Sequence, residues 1–172
     1  LLAKGYELTV LDCLEAPTHS NGKPNYLAKN VRFIHGNILE KEKLLQALEG
    51  IDVIFHQAAT GGFTENVSKY YDWNSLATAR LWESIQEKKI ELKKFIVASS
   101  VAVYGEGKYS CETCGITFPP SREKKQLEQR EWEIKCQRCK KNLKALPTDE
   151  TKPVDPLLHY SQSKYDQERI SI

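Results

Sequence analysis

Four short apolar runs punctuate the chain before residue 99, and this rhythm limits the fold more than any other feature. The runs are Glu7-Leu8-Thr9-Val10-Leu11-Asp12, Val31-Arg32-Phe33-Ile34-His35, Val53-Ile54-Phe55-His56 and Phe95-Ile96-Val97-Ala98. Each is rich in β-branched or aromatic residues and too short for a helix, as strands buried on both faces are. Helical spacing fills Lys41 to Leu48 and the stretch from about Val67 to Lys88. Strands that alternate with helices predict an α/β fold with a parallel, doubly wound sheet of the Rossmann type.

The rhythm stops after Gly105. Residues 106–146 are charged and rich in Lys, Glu and Gln, and they predict an inserted module within a Rossmann domain that otherwise occupies 1–172. The insertion holds two CxxC pairs, Cys111-Glu112-Thr113-Cys114 and Cys136-Gln137-Arg138-Cys139, with 21 residues between them. That spacing is close to the spacing of structural zinc ribbons, and four thiolates fill a tetrahedral zinc with no open position. A module of about 40 residues has too little core to fold alone, a physical reason for a metal staple. An empty or redox-active thiol set is the alternative. Cys13 stands outside the set and reads as a small packed residue.

At 172 residues there is room for one domain plus such a module, and not for two full domains. A formal charge of +2, with both signs interspersed, leaves no electrostatic footprint for nucleic acid or an anionic membrane. No stretch approaches the roughly 18 apolar residues of a membrane span, and no secretory leader opens the chain. The expectation is a cytoplasmic enzyme. Leu1-Leu2-Ala3-Lys4-Gly5 reads as the last turn of a helix closed by a left-handed glycine, and the helical pattern from Ser161 runs to Ile172 without a stop signal. Both ends therefore read as internal to a longer protein.

Ligands of open α/β sheets bind beyond the carboxyl ends of the strands. Asp12 ends the first run, where a carboxylate accepts hydrogen bonds from the adenosine ribose and repels a 2′-phosphate, which favours NAD over NADP. Ser99-Ser100-Val101-Ala102-Val103-Tyr104-Gly105 follows the fourth run, and Tyr160-Ser161-Gln162-Ser163-Lys164 comes later. A lone YxxxK is a weak signal. On a helix, though, Tyr160 and Lys164 share a face, and the ammonium can stabilise the ionised phenol. Of the histidines, His35 and His56 end strands and read as packed or hydrogen-bonded residues.

SSVAVYG followed by YSQSK, with Asp12, Gly36-Asn37-Ile38, His56-Gln57-Ala58-Ala59 and Asn74 ahead of them, resembles the extended short-chain dehydrogenases of the NAD-dependent epimerase/dehydratase family. The resemblance spans the chain apart from the cysteine insertion. It implies Ser100, Tyr160 and Lys164 as catalytic residues. It also implies that Tyr160 and Lys164 face the cofactor, that Asn37 and Ile38 lie by the adenine, and that Gln57, Ala58 and Ala59 line the pyrophosphate and nicotinamide ribose. Asn74 falls on the asparagine that supports the site. Asn37 departs from the usual Asp and loses its charge.

The resemblance implies epimerisation of a nucleotide-diphosphate sugar at C4, by oxidation to a ketone followed by reduction on the other face. Dehydratases of the family place Asp and Glu directly after the catalytic Thr, where this chain has Val101 and Ala102; neither can move a proton, so epimerisation is preferred, with a 4-reductase as runner-up. A homodimer is implied for the full-length protein. The insertion between VYG and YxxxK is similar to one in the dTDP-L-rhamnose 4-epimerase subgroup. A reading of another class is a zinc-ribbon binding module on a degenerate dehydrogenase scaffold; its Lys and Arg residues are interleaved with Glu, as on a solvated surface. The innermost strand and phosphate loop of the family would precede Leu1. The 172-residue chain alone is accordingly expected to bind NAD in the millimolar range at best and to be inactive.

Overall fold

The computed structural model describes residues 1–172 except Pro17 and Phe63. It divides into two compact units, Leu1–Ala98 with Asp166–Ile172, and Ser99–Tyr165.

In the first unit a 3-10 turn, Leu2–Lys4, ends at Gly5 with φ 81°, the left-handed cap that only a residue without Cβ adopts at low cost. Strand β1 (Thr9–Asp12) pairs in parallel with β2 (Arg32–His35), and β3 (Val53–His56) pairs in parallel with β4 (Lys94–Val97). Helix α1 (Lys41–Ala47) lies between β2 and β3 in sequence. Helix α2 (Val67–Tyr70), a π-helical turn (Tyr71–Leu76) and α3 (Ala77–Glu87) lie between β3 and β4. A parallel sheet lacking its innermost strand was the expectation; among the described residues the strands form two separate parallel pairs, with no ladder between β1 and β3.

Leu44, Leu48, Leu81 and Ile85 form the buried core of this unit, and Leu11, Ile54 and Phe95 pack on it from the strands. Trp82 joins them, its ring 4.8 Å from that of Phe95. Burial of each large side chain stabilises by about 2 kcal/mol, which ties α1 and α3 to one face of the strands. Alternation along β3 puts Ile54 and His56 on the covered face, whereas Val53 and Phe55 are 37% and 49% exposed. A doubly wound sheet covers both faces; here the second face of β3 is open.

In the second unit a 3-10 turn, Val101–Tyr104, leads into a three-stranded antiparallel sheet in the order β6-β5-β7, formed by β5 (Lys108–Cys111), β6 (Gly115–Thr117) and β7 (Lys144–Leu146). Helix α4 (Lys124–Glu128) lies between β6 and β7. Helix α5 (His159–Ile170) starts in this unit and runs on into the last segment of the first. No helix among the described residues is long and apolar enough to cross a membrane.

Candidate active site and thiol cluster

The residues assigned to the cofactor sit at the strand ends of the first unit. Asp12 closes β1 half-buried; its Oδ1 accepts the Leu14 N–H at 2.7 Å, and its Oδ2 is 3.6 Å from His19 Nε2. Leu14 takes φ 53° to make that turn, so the carboxylate holds the chain as it leaves the strand. Asn37 turns the chain ahead of α1 through a similar device. Its Oδ1 accepts the Leu39 N–H at 2.9 Å, while Glu40 Oε1 accepts the Asn37 N–H at 2.6 Å. Ile38 packs against the Leu44 cluster.

Gln57, Ala58 and Ala59 form an exposed loop after β3. Asn74, fully buried, grips the next residue with both ends of its amide: Oδ1 accepts the Thr60 N–H at 2.7 Å, and Nδ2 donates to the Thr60 carbonyl at 3.1 Å. The helix expected from Val67 to Lys88 widens into its π-helical turn at this asparagine, in keeping with the frequent placement of such turns at functional sites.

Beneath the loop lies a polar knot that the sequence reading missed. His56 Nε2 is 2.8 Å from Thr78 Oγ1 and 3.0 Å from Gln167 Nε2, and all three residues are buried. Thr78 donates to the Asn74 carbonyl at 2.6 Å. Gln167 also reaches Thr78 Oγ1 at 3.0 Å and the Ala58 carbonyl at 3.4 Å. The direction of the His56 contacts with Thr78 and Gln167 depends on the His56 tautomer. The available signal was spacing: Gln167 follows Lys164 by three residues and Tyr160 by seven, on one helical face.

Ser100, Tyr160 and Lys164 all belong to the second unit. Ser100 is the N-cap of the 3-10 turn, in extended conformation, and its Oγ accepts the Ala102 N–H at 3.2 Å. This leaves the hydroxyl hydrogen available for donation. Gly105 has φ 65°, and a Cβ there would stand 2.7 Å from the Asp155 carbonyl oxygen; both the conformation and the space demand glycine. The Asp155 N–H donates to the Val103 carbonyl at 2.9 Å, so the segment entering α5 runs against the VYG turn. At the start of α5, Ser161 Oγ accepts the Leu158 N–H at 2.9 Å and donates to the Leu158 carbonyl at 2.8 Å. These bonds satisfy backbone groups that a helix end leaves open. Lys164 is 2% exposed and Tyr160 is half-buried, one turn apart on α5.

The four cysteines of the insertion converge. Their sulfur atoms all lie within 4.8 Å of one another, and Cys111 Sγ is 3.4 Å from Cys139 Sγ. Tetrahedral zinc with Zn–S bonds of about 2.3 Å calls for sulfur separations of nearly this size. The two CxxC turns match in detail. The residue after each is left-handed, Gly115 at φ 79° and Lys140 at φ 62°, and the first sulfur of each is met by backbone N–H groups from the turn. The N–H groups of Cys139 and Arg138 draw the Cys136 thiol down to about 6, and those of Cys114 and Thr113 lower Cys111. Cys114 is pushed up to about 12, first by its hydrogen bond with Cys139 and then by burial. Four sulfur donors gathered within this distance are a set suited to a soft cation. Cys13 is half-buried and, like the other four, forms no disulfide.

Residues 1–124 match the model of the NAD dependent epimerase/dehydratase family. The chain is 27% identical to the dTDP-L-rhamnose 4-epimerase of Burkholderia thailandensis over 179 aligned positions, covering 99% of this chain and 47% of that protein. It is 34% identical to the UDP-glucose 4-epimerase of Mycoplasma genitalium, covering 50% of this chain and 28% of that one. Among solved structures, the UDP-glucuronic acid 4-epimerase of Bacillus cereus in complex with NAD superposes with a TM-score of 0.62 at 25% identity, over 99% of this chain and 45% of that one. The UDP-glucose 4-epimerase of Thermus thermophilus in complex with NAD gives a TM-score of 0.64 at 24% identity, over 98% of this chain and 43% of that one. The chain spans about half the length of the curated relative that it matches end to end. The fold is that of the Rossmann-type epimerases, and the chain belongs to the NAD-dependent epimerase/dehydratase family.

Proposed function

We propose that the whole protein is an NAD-dependent nucleotide-sugar 4-epimerase in which Ser100, Tyr160 and Lys164 carry the chemistry. One observation carries this reading: within a single compact unit, Ser100 caps the turn after β4 with its hydroxyl hydrogen free to donate, while Tyr160 and the buried Lys164 share a face of α5. Asp12, Asn37, Ile38 and the loop of Gln57, Ala58 and Ala59, braced by Asn74, fit a dinucleotide at the strand ends. Bound NAD would supply the hydride acceptor. Tyr160 takes the proton of the sugar 4-hydroxyl as base and returns it after the 4-keto sugar has turned over. Ser100 donates to the same oxygen and orients it. Lys164 lies one helical turn from Tyr160 on the same face of α5 and faces the cofactor beside it.

Val101 and Ala102 offer no acid or base for dehydration, and Val101 is 81% exposed. The end-to-end match to the Burkholderia enzyme, inserted module included, favours dTDP-L-rhamnose as the first sugar to try. The reading includes one structural zinc on Cys111, Cys114, Cys136 and Cys139, a cytoplasmic location in keeping with reduced thiols, a Rossmann domain with its insertion at 106–146, and a homodimer. Incubating the full-length protein with a panel of nucleotide sugars and following C4 inversion by proton NMR is the test; inversion of none of them would overturn the reading.

A further inference from the structure

The cysteine cluster lies at one end of a ladder whose other end carries the catalytic segments. Outward from Ser100, the chain passes the VYG turn and enters β5, which ends at Cys111. The return path leaves the second CxxC turn, runs along β7 and reaches α5 with Tyr160. Rungs join the two paths throughout. Ser110, Tyr109 and Lys108 pair with Lys144, Ala145 and Leu146. The Lys108 N–H donates to Thr148 Oγ1 at 3.2 Å, and Lys108 Nζ meets Asp149 Oδ2 at 2.6 Å. The last rung is the Asp155 N–H on the Val103 carbonyl, three residues beyond Ser100. A side brace comes from Lys152, which is 6% exposed and holds its ammonium 5.5 Å from the Phe118 ring centre.

At the thiol end the apolar packing is small. The buried cluster there is Cys111, Ile134, Cys136 and Leu143, so two of its four members belong to the cysteine set. The two CxxC turns meet through their sulfurs, Cys111 Sγ lying 3.4 Å from Cys139 Sγ.

We propose that zinc on the four cysteines sets the alignment of Ser100 with Tyr160, so that the module is a metal-dependent brace on turnover and not only a self-contained appendage. This rests on the epimerase reading for its kinetic readout, but the transmission along the ladder has a readout of its own. The closing of the thiol end fixes the β5–β7 register, and the register fixes the Val103–Asp155 contact. Displacing a reacting group by about 1 Å costs on the order of 10²-fold in rate.

The experiment uses the full-length protein, stripped with a chelator under reducing conditions and reloaded with zinc chloride alone. The result expected is one zinc per chain, a fall in kcat of about tenfold or more on stripping with bound NAD and KM within about twofold, and recovery on reloading. Amide exchange at Val103 and Asp155 should quicken about tenfold or more in the stripped protein and slow again with zinc. Lys108→Ala, which leaves the sulfurs alone, should keep its zinc and still lose part of kcat. Unchanged exchange at those two amides, the absence of bound zinc, or stripping that releases NAD along with activity would each overturn the proposal. If no nucleotide sugar turns over even with zinc bound, the epimerase reading fails, while zinc-dependent exchange at Val103 and Asp155 still supports the brace.

Discussion

Leu44, Leu48, Leu81 and Ile85 close the core of the first unit, whereas Cys111, Ile134, Cys136 and Leu143 close that of the inserted module. The first cluster gathers seven more apolar side chains around it; the second gathers Tyr109 and two further cysteines. Apolar area stabilises in proportion to what is buried, and a short charged insertion cannot bury enough of it. The module therefore draws its sulfurs together where the strand-and-helix unit draws leucines. A further contrast lies in the placement of function: the proposed cofactor contacts rest on the apolar core, and the proposed catalytic residues belong to the unit that contains the sulfurs.

The largest effect is expected where the chemistry is assigned. Tyr160→Phe in the full-length protein should lower turnover by about 10²- to 10⁴-fold, the usual worth of a positioned acid or base, with NAD still bound. Steady-state rates beside the NAD content of the purified variant check this. Turnover within about tenfold of the parent would remove Tyr160 from the role of base and break the division of labour between the units.

Next comes stability. Leu81→Ala deletes a 3% exposed side chain from the first core and should cost about 3 kcal/mol, read from denaturant midpoints. If, as proposed, zinc closes the cysteine cluster, Ile134→Ala in the zinc-loaded module should cost less; an equal or larger loss would mean that apolar packing governs both units. Asp12→Ala should weaken NAD by about tenfold and narrow the preference over NADP, since a hydrogen-bonded carboxylate at the ribose contributes on the order of 1.5–3 kcal/mol. Calorimetric titration with both cofactors decides it, and a parent protein that prefers NADP would refute the assignment.

Much of this architecture was legible in the residues. The four strands came within one or two positions of the expected runs, because period and β-branching act locally. The two CxxC pairs and their 21-residue separation, close to that of zinc ribbons, pointed to Cys111, Cys114, Cys136 and Cys139 as one set, and their sulfurs do converge. The bond between His56 and Gln167 was hidden, since it joins positions 111 apart and a buried polar partner leaves no periodic trace. Nor did the sequence disclose that Asn37 Oδ1 is taken up by the Leu39 N–H, or that the long helix widens at Asn74 to grip Thr60. In each case a side chain chose between backbone partners that only the folded chain brings near.

The smallest effect concerns the rung between the sulfurs and the proposed catalytic segments. The Lys108 ammonium first, and then the Thr151 hydroxyl and N–H, lower the Asp149 carboxyl from its ordinary 3.8 to about 2. A carboxyl with a depressed folded pKa contributes stability above its unfolded value, and loses it as pH falls through the folded one. The contribution should therefore be whole above about pH 4, decline between about 4 and 2, and vanish below. Asp149 is 46% exposed on its side chain, so solvent screens the pair and the gain is modest. Asp149→Asn should quicken amide exchange along β5 and β7 slightly at pH 7, and the difference from the parent should close as pH falls toward 2. A difference that stays constant across that range would show that the rung holds by packing or neutral hydrogen bonds, and the contrast between a charge-braced module and an apolar first unit would lose one of its supports.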